Sequence, residues 1–131
     1  MYVQRPSSKI RQLQTFSARP AVGGSDRSEL LTATVDLTKP EAVVDVRGEL
    51  DASTTSALEE ALYACHLEGC HTIRIGLSGL ELLAAAGLDA LAREAHVDLE
   101  RGGLLSVDHT SRPHVRRVLD MFDVPWHVVA A

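Results

Sequence analysis

The sequence predicts an α/β domain in which a mixed β-sheet carries its helices on one face, in the order β-β-α-β-α-β-α-β. Three observations predict it. From Leu30 onward the apolar pattern switches repeatedly between period 2 and a helical stripe. Glycine or proline stands at most of the changeovers. The chain is 131 residues long and 45% hydrophobic, enough for one modest core and too short for two.

In the first strand Thr32, Thr34 and Asp36 alternate with Ala33, Val35 and Leu37. Thr38-Lys39-Pro40-Glu41 supplies a turn, and the β-branched run Ala42–Gly48 returns as the second arm of an antiparallel hairpin. Leu58, Ala61, Leu62 and Cys65 then fall at i, i+3, i+4 and i+7, the stripe of an amphipathic helix. Asp51, Ser53, Thr54 or Ser56 can cap its start, Ser56 and Glu59 have capping-box spacing, and Gly69 ends it. Ile73, Ile75 and Leu77 mark the next strand, which Ser78 leaves as a loop. Leu88, Leu91, Ala92, Ala95 and Leu99 form a second helix, ending at Gly102-Gly103. Leu104–Val107 is a short strand. Ser111 caps a third helix with Pro113 in its first turn and Val115, Val118, Leu119 and Phe122 on its buried side. Val124-Pro125 breaks that helix and leaves His127–Val129 as a last strand. Strands joined through single helices pair in parallel by right-handed crossovers.

Residues 1–28 read differently. Ser, Pro and Gly recur there without a lasting apolar period, which predicts a mobile extension before a domain at 29–131, with at most a short helix over Ser8–Thr15. Residues 1–27 hold five basic side chains against Asp26 alone, net +4, whereas residues 28–131 hold eight basic against 17 acidic, net −9. An acidic body has no basic stripe to neutralise phosphates, so nucleic acid is not the expected ligand. The basic tail is either solvated or contacts the body, an acidic partner or RNA. The start has no charged-then-apolar leader pattern, and apolar runs such as Leu82–Leu88 fall well short of the roughly 20 residues that span a bilayer. No membrane association and a cytoplasmic location are expected.

Catalytic signatures are missing. There is no phosphate loop, dinucleotide fingerprint, nucleophile elbow or H-E-x-x-H, and the histidines and acids show no local pairing of base with nucleophile. A non-enzyme without cofactor is expected. One cluster has ligand chemistry, Cys65-His66-Leu67-Glu68-Gly69-Cys70-His71. Four zinc ligands within seven residues across a helix end converge poorly, so no metal is assigned. Cys65 and Cys70 remain a candidate redox pair, beside the alternative that Cys65 is a small buried hydrophobe.

Two segments carry a family likeness: Val43-Val44-Asp45-Val46-Arg47-Gly48-Glu49-Leu50-Asp51 and Leu77-Ser78-Gly79-Leu80-Glu81-Leu82-Leu83-Ala84-Ala85-Ala86-Gly87-Leu88. In order and spacing they resemble the signatures of STAS domains of the anti-sigma-factor-antagonist type, G-E-L-D and D-L-S-G-L-x-F-L-D-S-S-G-L. Arg101-Gly102-Gly103-Leu104 and the segment from Ser111 to Leu119 add to the resemblance, which covers roughly 100 residues. It implies the STAS fold and a regulatory protein-binding role. In that family the serine before G-L is phosphorylated by a histidine-kinase-like ATPase that is the anti-sigma factor, and only the unphosphorylated antagonist binds it.

This sequence departs from the pattern at the switch. Ala84, Ala85 and Ala86 stand for Asp-Ser-Ser and Gly76 for a strand-end aspartate. Ala86 matches the phosphoacceptor and cannot be phosphorylated. The resemblance places the partner surface on Asp51, Ser53, Thr54, Leu83, Ala84, Ala85, Ala86, Gly87 and Asp89. Asp51 can equally be an N-cap, and the alanines a good helix start. Ser78, Ser53, Thr54, Thr55 and Ser56 are alternative phosphorylation sites or plain capping hydroxyls. The expected partner is an anti-sigma factor or a histidine-kinase-like ATPase regulator, bound without gating at Ala86. The alternatives are a small-molecule-sensing or scaffold STAS subunit, with a shallow apolar pocket at Ala84–Gly87, and redox regulation through Cys65 and Cys70.

Overall fold

The computed structural model describes residues 12–18, 30–108, 112–121 and 127–129, with the side chains of Leu99 and of 127–129 excepted. Their order is β1 (Gln12–Ala18), β2 (Leu31–Thr38), β3 (Glu41–Leu50), α1 (Thr55–Leu67), β4 (Thr72–Leu83), α2 (Ala85–Glu100), β5 (Leu104–Asp108), α3 (Pro113–Asp120) and β6 (His127–Val129). The six strands form one sheet in sequence order, β1-β2-β3-β4-β5-β6. β1, β2 and β3 pair antiparallel, and β3 to β6 pair in parallel. The expected hairpin of β2 and β3 and the three parallel crossovers are present. Each crossover steps the same way along the sheet, so right-handed connections place all three helices on one face.

That face is the core. Leu31, Val35 and Leu37 of β2, Val44 and Val46 of β3, and Ile73, Ile75 and Leu77 of β4 are buried there, against Leu58 and Leu62 of α1, Leu88 and Leu91 of α2, and Val115 of α3. On the opposite face Asp45, Arg47 and Arg74 are exposed. Alternation with period 2 produces this two-sidedness. Among the described residues no helix is long and apolar enough to cross a membrane.

Three expectations need correction. The predicted extension contains β1, whose residues pair with β2 from Gln12↔Leu37 to Ala18↔Leu31. The helix over Ser8–Thr15 is therefore replaced by a strand from Gln12 on, and Leu13 is exposed. No apolar period announces β1, because its core-facing row is Gln12, Gln14, Phe16 and Ala18, only half apolar. Ser78 does not start a loop. β4 runs on to Leu83, with register shifts against β3 between Asp45 and Arg47 and between Gly48 and Glu49. These bulges re-aim the strand so that Leu77, Leu80 and Leu83 are buried at a spacing of three, which hides it from a period-2 reading. Ser111, Phe122, Val124 and Pro125 lie outside the described residues. α3 starts at Pro113, with Arg112 as its N-cap.

Gly69 ends α1 as expected, in a Schellman motif. Gly69 has φ +79°, its N–H donates to the His66 carbonyl at 3.0 Å, and the Cys70 N–H donates to the Cys65 carbonyl at 3.1 Å. Gly102 ends α2 with the same φ of +79°, and the Gly103 N–H donates to the Asp98 carbonyl at 2.7 Å. Between these two helix ends, His66 Nε2 lies 2.6 Å from Asp98 Oδ1, a nearly buried pair that ties α1 to α2.

Candidate functional site

The two signature segments meet at the end of β3. The Ala84 N–H donates to the Leu50 carbonyl at 2.9 Å, which docks the start of α2 on that strand end. Gly87 makes the approach possible. A Cβ there would lie 2.6 Å from the Leu50 carbonyl oxygen and 2.7 Å from Leu50 Cγ, so only glycine lets the helix sit so close. The turn that follows Leu50 and the first turn of α2 thereby form one surface.

The turn is built by its own side chains. Asp51 Oδ1 accepts the Ser53 N–H at 2.9 Å and the Ser53 hydroxyl at 2.7 Å, which makes an Asx turn. The Ser53 hydroxyl, with its N–H, holds the Asp51 carboxyl below the usual carboxylate range despite partial burial. Thr54 is fully buried. Its hydroxyl donates to the Glu49 carbonyl at 2.7 Å and accepts the Asp51 N–H at 3.0 Å. Asp51 is therefore not the N-cap of α1. Thr54 occupies that position without a side-chain cap bond, and Ser56 already lies inside the helix, so the capping box with Glu59 does not form.

Of the residues expected at the partner surface, Ser53, Ala85, Ala86 and Asp89 are exposed and Asp51 and Ala84 half-buried, whereas Thr54, Leu83 and Gly87 are buried and shape the surface from beneath. Asp89 is held by Arg93 at 3.2 Å. Sequence reasoning missed Leu82, which is 42% exposed beside the alanines, and Leu50, whose carbonyl joins the two segments. It also missed His114 of α3, whose Nε2 lies 2.5 Å from the Glu81 carbonyl and anchors α3 at the same end of the sheet. The resulting patch of Leu82, Ala85 and Ala86 at a helix start with no acid in its first turn is apolar and shallow. Leu50 fills the space at Gly87, so the helix start rests on β3 through that glycine while Ala85 and Ala86 stay exposed.

Gly76, where the resemblance expects a strand-end aspartate, lies beside Asp45. A Cβ at Gly76 would fall 2.5 Å from Asp45 Oδ1, the far end of an exposed side chain on the adjacent strand, so an aspartate there would shift that carboxylate and set two carboxylates side by side.

The Cys-His repeat resolves into helix-end packing. Cys65 and Cys70 are the two residues that a Schellman motif brings together, and both are free and buried. Burial pushes the Cys65 thiol up to about 12, and Cys70 is raised for the same reason. Among the described residues no three His, Cys, Asp or Glu side chains converge to hold a metal ion. Between pH 9 and 12 an unfolded chain releases the Cys65 proton and the folded chain keeps it, so stability falls as pH rises through that window. Iodoacetamide at pH 8 is expected to leave both thiols unlabelled in the folded protein while denatured chain reacts fully, as read by intact mass. Stoichiometric labelling of the folded protein, or a Cys65–Cys70 disulfide under mild oxidation, would favour the redox reading.

Comparisons with known proteins fit this geometry. The family profile described as "Mlab, STAS domain" matches residues 33–125. The crystal structure of an anti-sigma factor antagonist from Mycobacterium paratuberculosis is 30% identical, with a TM-score of 0.57 over 70% of this chain and 76% of that one. The anti-sigma factor antagonist SpoIIAA in its unphosphorylated form shares 18% identity, with a TM-score of 0.59 over 76% of this chain and 88% of that one, a likeness of fold. No curated protein sequence matches the chain.

Proposed function

The chain belongs to the STAS-domain family and resembles its anti-sigma factor antagonists, and on that premise we propose that it is a non-catalytic module that binds a kinase-type anti-sigma factor without phosphoryl control at position 86. The observation that carries the reading is the joined surface itself. Leu50 and Gly87 lock the Asp51 turn to the start of α2, and the exposed Ala86 sits there with no oxygen to receive a phosphoryl group. In a gated antagonist, phosphorylation at such a helix start adds nearly two negative charges to a surface that must pack against its partner. Alanine leaves position 86 permanently uncharged and small, so binding persists whatever the nucleotide state of the kinase.

The test is a pull-down of the cell's kinase-type anti-sigma factors with the full chain, in ADP and in ATP. Binding in both states is expected. Ala86→Glu is expected to weaken it at least about tenfold, the usual cost of burying an unpaired charge at an interface, with an unchanged melting temperature because the side chain points to solvent. Failure to capture any kinase-type anti-sigma factor in either state, or unchanged binding of Ala86→Glu, would reject the proposal.

A second reading, a scaffold subunit of a different assembly, has one observation in its favour: the matching family profile names Mlab rather than an anti-sigma factor antagonist. The same capture experiment separates the two readings, because a scaffold subunit retains a partner without an anti-sigma kinase in it.

A further inference from the structure

The two edges of the sheet are built differently. Among the described residues β6, at one edge, spans three residues, and a very short edge strand is one of the ways proteins avoid pairing with another chain. β1, at the other edge, has none of these protections. Its seven residues, Gln12-Leu13-Gln14-Thr15-Phe16-Ser17-Ala18, contain no charge, no proline and no glycine, and its register with β2 runs without a bulge from end to end. Its outer side pairs with no strand among the described residues, and Leu13 is 62% exposed.

The direction of the unpaired groups follows from one bond. The Ala18 carbonyl faces β2, where it accepts the Leu30 N–H at 2.9 Å. Since the N–H and C=O of one residue share a side of an extended strand and successive residues alternate, those of Leu13, Thr15 and Ser17 point away from the sheet.

We propose that β1 is a self-association edge: two copies of this chain pair through it antiparallel about a two-fold axis at Thr15, joining their sheets. The occupant is a second copy because the strand complements itself. With Thr15 on the axis, Leu13 faces Ser17 of the other copy and Gln14 faces Phe16, so every residue finds a partner and no like charges meet within the strand. The three outward residues of each copy supply roughly six backbone hydrogen bonds. Two seven-residue strands bury less than the roughly 800 Å² per partner of a standard stable interface, so the dimer is weak, with a Kd on the order of 10–1000 µM. Each chain carries a net charge of −5, so the approach of two copies brings like charges together and salt tightens the dimer. This pairing is independent of the partner surface at Ala86.

Sedimentation velocity of the full chain from about 10 µM to 1 mM tests it, at low salt and at 0.5 M NaCl. A concentration-dependent monomer–dimer equilibrium that shifts toward dimer in high salt is expected. Thr15→Pro removes an outward N–H without touching the β1–β2 ladder and is expected to remain monomeric throughout, with an unchanged circular dichroism spectrum. Should proline perturb folding, Thr15→Lys places two ammonium groups face to face across the axis from an exposed position and is expected to weaken the dimer at least about tenfold. A chain that stays monomeric to 1 mM at both salts, or a dimer that survives both substitutions, would overturn the proposal.

Discussion

Gly48→Ala is expected to lower the stability of the domain by about 3 kcal/mol or more, a melting temperature lower by roughly 10–20 °C. Two costs act together. Gly48 has φ +104°, a conformation that L side chains rarely adopt. A Cβ there would also lie 2.1 Å from the Leu30 carbonyl oxygen, which is backbone and already accepts the Glu49 N–H at 2.8 Å. Neither side can yield without breaking the link between β2 and β3. Gly69→Ala is the natural comparison, because Gly69 also has positive φ but nothing within 4 Å of its Cβ position, so it pays for conformation alone. Thermal denaturation of both variants reads the difference. Equal losses would show that the backbone conformation, and not the contact with Leu30, sets the requirement at Gly48. Because Gly48 precedes Leu50 by two residues, Gly48→Ala is also expected to disturb the proposed partner surface.

Ala86→Ser is expected to remain a poor phosphoacceptor, at least about a hundredfold slower with an anti-sigma kinase than a chain that also carries Ala84→Asp and Ala85→Ser. The serine hydroxyl would be exposed and reachable, so access is not the obstacle. What is missing is a carboxylate beside it. The first turn of α2 contains no acid, and the nearest downstream acid, Asp89, is engaged by Arg93. A positioned base typically contributes 10²–10⁴-fold to a proton transfer. Single-turnover phosphorylation with labelled ATP measures the ratio. Efficient phosphorylation of Ala86→Ser alone would mean that the hydroxyl was the only missing part.

Much of this was legible from local pattern. The alternation in β2 and β3, the stripe of Leu58, Ala61, Leu62 and Cys65, and the glycine stops at Gly69 and Gly102 each depend on residues within one or two turns of chain, so periodicity reveals them. The two signature segments were legible in the same way, and so was the alanine at position 86. The cap of α1 was not, because Asp51, Ser53, Thr54 and Ser56 have nearly equal capping chemistry. The choice among them fell to the Glu49 carbonyl, which draws the Thr54 hydroxyl inward and leaves Asp51 to its own turn.

Sequence by itself determined the strands and helices from Leu31 on, and that position 86 carries alanine, because secondary-structure period and side-chain chemistry are written residue by residue. Only the tertiary structure decided that Gln12–Ala18 joins the sheet, that β4 continues through two bulges to Leu83, and that Leu50 and Gly87 bring the Asp51 turn against the start of α2. Those outcomes depend on contacts between residues distant in the chain, where a half-apolar strand is stabilised by its neighbour and a glycine matters for the backbone that must pass beside it.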